Sequence, residues 1–258
     1  MPEPDPQPKP KAQPRRRRVE AVTGAITKLA EPGEAVLVPE SELGESRLFP
    51  AAAVVTAALL YATLPDRFVS GSAAYVGVAR WVVPALAILL VAPLLLTAPH
   101  RRLVLSVPRR TFAIALIALL SAANAASIVL LVHLILRGGH IDGHSLVLAA
   151  IHIWCTTVLL FALWFWQLDS GGPIERRLRR GLPPDFLFTQ QATPELAPGG
   201  WQPQFLDYLY LAFTNATAFS PTDTMPLSRW AKMLMLVESA ASLLLLVMVA
   251  ARAVNILS

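Results

Sequence analysis

Few residues in this chain could do chemistry, and most of them lie where such residues are costly. Glu238 sits in the run MLMLVESAASLLLL, and Asn124, His133 and His152 sit inside other apolar runs. A polar strip made of Thr214, Asn215, Thr217, Ser220, Thr222 and Asp223 closes a further run that begins at Phe205. A lone ionised carboxylate in lipid is expensive, so Glu238 must face the protein interior or a wet cavity, pair with another helix, or carry a proton. Lys232 is six residues before it and Arg252 fourteen after it, so neither is a same-face partner. Glu238 is expected to point into the bundle, towards the Phe205 to Asp223 segment or the third or fourth span, with Asn124, His133 and His152 as candidate partners. Its chemistry is then a buried hydrogen bond or a proton or cation site. With the polar strip it would line a pore or transport path, and the competing reading is that the strip only packs the hairpin.

Other chemistries find no support in the sequence. There is no P-loop, GxGxxG, HExxH or GxSxG, and no nucleophile with a base or paired carboxylates, so no enzyme and no cofactor is expected. His140, Asp142 and His144 share a short glycine-rich segment that lacks a further nearby ligand, so an external turn is expected there rather than a metal site. The single cysteine, Cys155, cannot form an intrachain disulfide and reads as a small buried thiol; His152, three residues earlier, shares its face without making a catalytic dyad.

The elements that must position these residues are membrane spans. Of 258 residues, 55% are hydrophobic and 15% charged, against about 25% charged in a soluble domain, and the mean hydropathy is +0.53. The net charge of +5 does not indicate nucleic acid, because the arginines cluster at the ends of apolar runs. Spans are expected at 48–64, at 81–98 with Pro84 and Pro93 inside, within 111–136, at 145–167 and at 230–251. The run from Phe205 to Phe219 is short for a span and suits a re-entrant helix. Asn124 and its neighbours Ser121 and Ser127 suit helix–helix packing, and Trp164 and Trp166 suit an interfacial belt.

Residues 1–47 are rich in proline and charge and are expected to form a disordered tail. Arg15, Arg16, Arg17 and Arg18 fix it on the cytoplasmic side and would meet anionic lipid. The loop with Arg101, Arg102, Arg109 and Arg110 falls on the same side, as does the 169–204 connection with Arg176, Arg177, Arg179 and Arg180, a cluster read as a topology anchor. Asp223, ahead of the last run with Pro226 near the first turn, is expected to cap the final helix.

The last hairpin resembles the pore module of two-transmembrane-type potassium channels. Leu211-Ala212-Phe213-Thr214 stands where the pore helix would be, and Thr217 and Ala218 where filter threonines would be. Phe219-Ser220-Pro221-Thr222-Asp223 overlies the filter and its trailing aspartate, and Met225-Pro226-Leu227-Ser228-Arg229 with Glu238 matches the entry to the inner helix. The resemblance implies an ion path formed by several copies, a homo-oligomer. Ser220 and Thr222 replace the filter glycines and Pro221 the tyrosine, so the usual potassium selectivity is not expected. A potassium filter also faces outside, whereas the basic loop before this hairpin points inside. Residues 145 to 257 further resemble an uncharacterised bacterial family of multi-pass inner-membrane proteins, through Trp164 to Asp169, Gly171 to Pro173, Pro184 to Phe186, Phe205 to Tyr210 and Ser220 to Asp223. That resemblance implies an inner-membrane location and brings no activity.

The expected architecture is an all-α integral membrane protein: a cytoplasmic tail over 1–47 and a helical bundle over 48–258 with about five transmembrane helices and a short re-entrant-like helix, its channel-like part from 145 onward. The expected function is an ion channel-like or transport protein. The alternative is a structural or regulatory membrane protein that docks partners through its cytoplasmic loops.

Overall fold

The structure is a computed structural model that describes residues 48–65, 68–69, 81–82, 84–87, 107–137, 143–178, 183–217 and 224–257. Helix α1 covers Leu48–Thr63, α2 Val107–Leu136 and α3 Gly143–Leu168. After a 3-10 turn at Asp169–Gly171 come the short helix α4, Pro173–Leu178, strand β1, Phe186–Leu187, and helix α5, Thr189–Ala192. Helix α6 covers Phe205–Ala216, β2 covers Met225–Pro226, and α7 covers Arg229–Leu257. Among the described residues three segments are long and apolar enough to cross a membrane: Arg110–Leu136, Gly143–Gly171 and Arg229–Ala251. The chain is therefore a helical protein of membrane-spanning build. The expected first span falls on α1, a 16-residue apolar helix shorter than those three segments. Of the expected second span only 81–82 and 84–87 are described, and they are helical; its remainder and the 1–47 tail lie outside the described residues.

The apolar runs make helices because a chain in lipid must satisfy its backbone internally. Helix α3 is the axis of the bundle, and α1, α2, α6 and α7 all pack on it. Side-chain pairs set the directions. Ser121 meets Trp164 and Asn124 meets Thr157, so α2 runs antiparallel to α3. Phe205 meets Trp166 and Phe213 meets Trp154, so α6 is also antiparallel to α3.

The buried side chains divide between two ends. At one end, the loop end, Phe186 lies between Phe165, Tyr208 and Trp230, and Phe188 lies between Trp201 and Tyr208. The far end holds Tyr61, Leu64, Leu131, Leu146, Ile153 and Leu245, and no residue of α6 belongs to it. At the loop end β1 pairs antiparallel with β2, Phe186 opposite Pro226 and Leu187 opposite Met225. Leu227 N–H also donates to Asp185 O at 2.8 Å.

These contacts make α6 and α7 parallel neighbours. Both start at the loop end, where Tyr208 and Trp230 face Phe186. Eight residues past Trp230, Glu238 meets Asn215, seven residues past Tyr208. Twelve residues of α6 advance about 18 Å along the axis, a little over half of a ~30 Å hydrocarbon core. Thr217 therefore ends deep in the bundle, while Thr224 leads directly into β2 at the loop end.

Local capping follows the sequence at one helix and departs from it at another. The Asp207 carboxylate accepts the Gln204 N–H at 2.7 Å and opens α6 at the positive end of its dipole. The final helix begins at Arg229, and Ser228 Oγ accepts the Ala231 N–H at 3.3 Å. Ser228 thus holds the cap position that the sequence reading gave to Asp223. Asp223 stands six residues before Arg229, beyond the reach of a first-turn N–H along the chain, and itself lies outside the described residues.

Candidate functional site

On α7 the buried residues are Ala231, Met235, Glu238, Ser242 and Leu245, a seam of alternating four- and three-residue steps. Met233, Leu236, Val237, Leu243, Leu244, Leu246 and Val247 on the other faces are exposed, as suits contact with lipid. The narrow seam therefore decides where Glu238 goes. Its side chain is 0% exposed, and Ser242, one turn further on, is 2% exposed.

Asn215 at the end of α6 meets this carboxylate. Its Nδ2 donates to Glu238 Oε2 at 2.7 Å and to Met235 O at 2.9 Å. Ser239 Oγ lies 3.1 Å from Asn215 Oδ1 and 3.2 Å from its main-chain O, and donates towards them. Among the described residues, Glu238 Oε1 and Ser242 Oγ have no hydrogen-bond partner. A buried acceptor left unpaired costs about 1–3 kcal/mol, and more when charged, so two on one seam need an explanation.

The structure brings together only part of the sequence-predicted set. Glu238 points inward, and its partner is Asn215 rather than Asn124, His133 or His152. Asn124 is taken by Thr157, whose Oγ1 accepts from Nδ2 at 2.8 Å while donating to Ile153 O. His133 is exposed near the end of α2. His152 Nδ1 lies 2.7 Å from Leu148 O in its own helix. Thr214 Oγ1 donates back to Tyr210 O at 2.7 Å, and Thr217 Oγ1 to Thr214 O at 2.9 Å. Both threonines therefore use their hydroxyls within α6 and its cap, as Ser and Thr commonly do in helices. Ser220, Thr222 and Asp223 lie outside the described residues.

A second polar cluster was missed by sequence reasoning, which saw no paired carboxylates and took the 169–204 loop for an anchor. Asp169, 1% exposed at the end of α3, accepts the Asp185 N–H at 2.9 Å and the Ser170 hydroxyl at 3.0 Å on Oδ1. Its Oδ2 accepts the Tyr208 hydroxyl. Asp185 accepts the Ser170 N–H on Oδ2 and the Trp230 indole N–H on Oδ1, both at 2.9 Å. Arg176 lies 3.8 Å from Asp169 Oδ2, donates to Trp166 O and Asp169 O, and stacks 5.0 Å from the Tyr208 ring centre. The turn is built for this. Ser170 adopts φ 52°, and at Gly172, φ 102°, a Cβ would come within 2.9 Å of Gln167 O. The available signal was the placing of Asp169, Asp185 and Tyr208 in the D-x-G-G-P, P-D-F and F-L-D-Y stretches of a charge-poor chain.

No family model, curated protein or solved structure matches the chain.

Proposed function

We propose that this chain is an integral membrane protein that passes a small cation or a proton along its α6–α7 hairpin, with several copies enclosing the path. In this reading α6 is a re-entrant half-helix that enters the membrane from the loop side. In this reading that side, with its arginine-rich connections, is the cytoplasmic side of a bacterial inner membrane. The observation that carries the reading is the end of α6, which lies deep in the bundle against the buried Glu238. A helix C-terminus carries a partial negative charge of about half an electron, and a carboxylate adds to it, so this place favours cations over anions. The deep polar groups fit the rule that intramembrane ionisable residues mark ion or proton pathways.

Reconstitution tests this directly. Purified protein in liposomes should show cation or proton flux, and Glu238→Gln should remove it at normal expression and assembly. Wild-type liposomes no leakier than empty ones would reject the reading. In a Cys155→Ala background, single cysteines at Gln204 and Leu227 should label from the same side; opposite sides would reject the half-helix.

A further inference from the structure

Resting on that reading of the hairpin, we infer that Glu238 Oε1 and Ser242 Oγ bind a partly dehydrated monovalent alkali cation of the sodium class. The starting point is the pair of buried oxygens without partners. They lie four residues apart on the seam of α7, hence on one face and one turn apart. They are not bonded to each other, although a serine hydroxyl beside a carboxylate usually donates to it. Two oxygens that face the same interior and leave each other unbonded fit a third body that takes lone pairs from both.

The neighbours say what kind of body it is. The Asn215 and Ser239 donors at the site are already spent. Asn215 Nδ2 is committed to Glu238 Oε2 and Met235 O, and Ser239 Oγ to Asn215. What remains to be satisfied is the lone pairs of Glu238 Oε1 and the hydroxyl of Ser242, and the C-terminal end of α6 adds negative potential beside them. An oxygen-only set suits a hard cation and not zinc, copper or iron, which prefer nitrogen and sulfur. The charge sets the valence. One carboxylate balances one positive charge, whereas a divalent ion would leave a buried excess charge, because among the described residues no second acid is bonded at the site. The residues that hydrogen-bond there, Asn215, Met235 and Ser239, are not ionisable.

The test is equilibrium binding of radioactive sodium to purified full-length protein in detergent, beside its melting temperature in sodium chloride and in choline chloride at equal ionic strength. The expected result is about one saturable sodium per chain and a higher melting temperature in sodium than in choline. Glu238→Gln should abolish both. Ser242→Ala keeps the carboxylate and should weaken sodium binding roughly tenfold, the loss of one good ligand contact. No saturable sodium on folded wild-type protein would overturn the inference and leave an ordered water as the occupant. Unchanged sodium binding in a folded Ser242→Ala protein would overturn it as well. Flux decides the broader reading separately. Glu238-dependent proton flux without sodium binding sinks the sodium site alone, and sodium binding without any flux sinks the transport reading alone.

Discussion

Asp169 and Glu238 are both buried carboxylates on helices that pack together, yet they are held in opposite ways. Asp169 takes hydrogen bonds on both oxygens, from Tyr208, Ser170 and the Asp185 main chain, with Arg176 beside it. Glu238 takes one, from Asn215, and its other oxygen has none. Asp169 joins α3 to α6 directly, and through Asp185 to Trp230 of α7. Glu238 joins only the two helices of the hairpin. The difference separates a carboxylate that holds the fold from one that the fold holds open. A carboxylate bonded on both oxygens fixes one arrangement of its partners, although Arg176 Nη2 beside it has no hydrogen-bond partner among the described residues. A half-satisfied one costs stability, and such costs gather at functional sites.

The largest effect should follow removal of Asp169. Asp169→Ala strips partners from Tyr208, Ser170, the Asp185 N–H and Arg176 at once, and breaking a buried pair from one side costs about 3–5 kcal/mol. The melting temperature in detergent should collapse or expression should fail. A mild loss would mean that the loop end is not what holds the hairpin. Gly172→Ala comes next. Its Cβ would press on Gln167 O at 2.9 Å, at φ 102°. Strained positions of this kind cost on the order of 1–3 kcal/mol, so a clear drop in melting temperature is expected, and none at all would show that the turn can relax.

Trp230→Phe should cost less. The ring contact with Phe186 survives and only the indole N–H to Asp185 is lost. A hydrogen bond to a charged group contributes about 1.5–3 kcal/mol, and solvent reaching the half-buried Asp185 offsets part of that. A melting temperature equal to wild type would remove Trp230 from the network.

The same contrast explains what the sequence made legible. Spans corresponding to α2, α3 and α7 follow from run length alone, because lipid demands about 20 apolar residues. That Glu238 turns inward follows from the cost of the alternative. Its partner Asn215 lies 23 residues away on a helix that the chain enters separately, and no periodicity within α7 encodes it. The Asp169 network was harder still. Its members come from positions 169, 185, 208 and 230, joined by one turn with two glycines and a left-handed serine. Read singly, each is an ordinary loop or interface residue. The cap shows the limit at short range: Asp223 and Ser228 are both good cap types, and only the start of the helix at Arg229 decides between them.

The smallest stability change should come from the carboxylate whose loss matters most for function. In Glu238→Gln the side-chain oxygen can still accept from Asn215, which also keeps its bond to Met235 O. The new amide N–H₂ would occupy the Oε1 side, where Ser242 Oγ is an acceptor without a partner. The substitution removes a buried charge and supplies a donor beside the unpartnered Ser242 hydroxyl, and neutral replacement of poorly paired buried charge is often neutral or stabilising. The expected change is within about 1 kcal/mol of wild type in choline buffer, with a small rise more in keeping than a fall. Thermal unfolding in detergent without sodium measures it, so that ion binding does not enter the comparison. A fall of about 2 kcal/mol or more, close to that of a broken structural hydrogen bond to a charge, would erase the contrast between the two carboxylates. Glu238 would then be a second clamp rather than a site kept open.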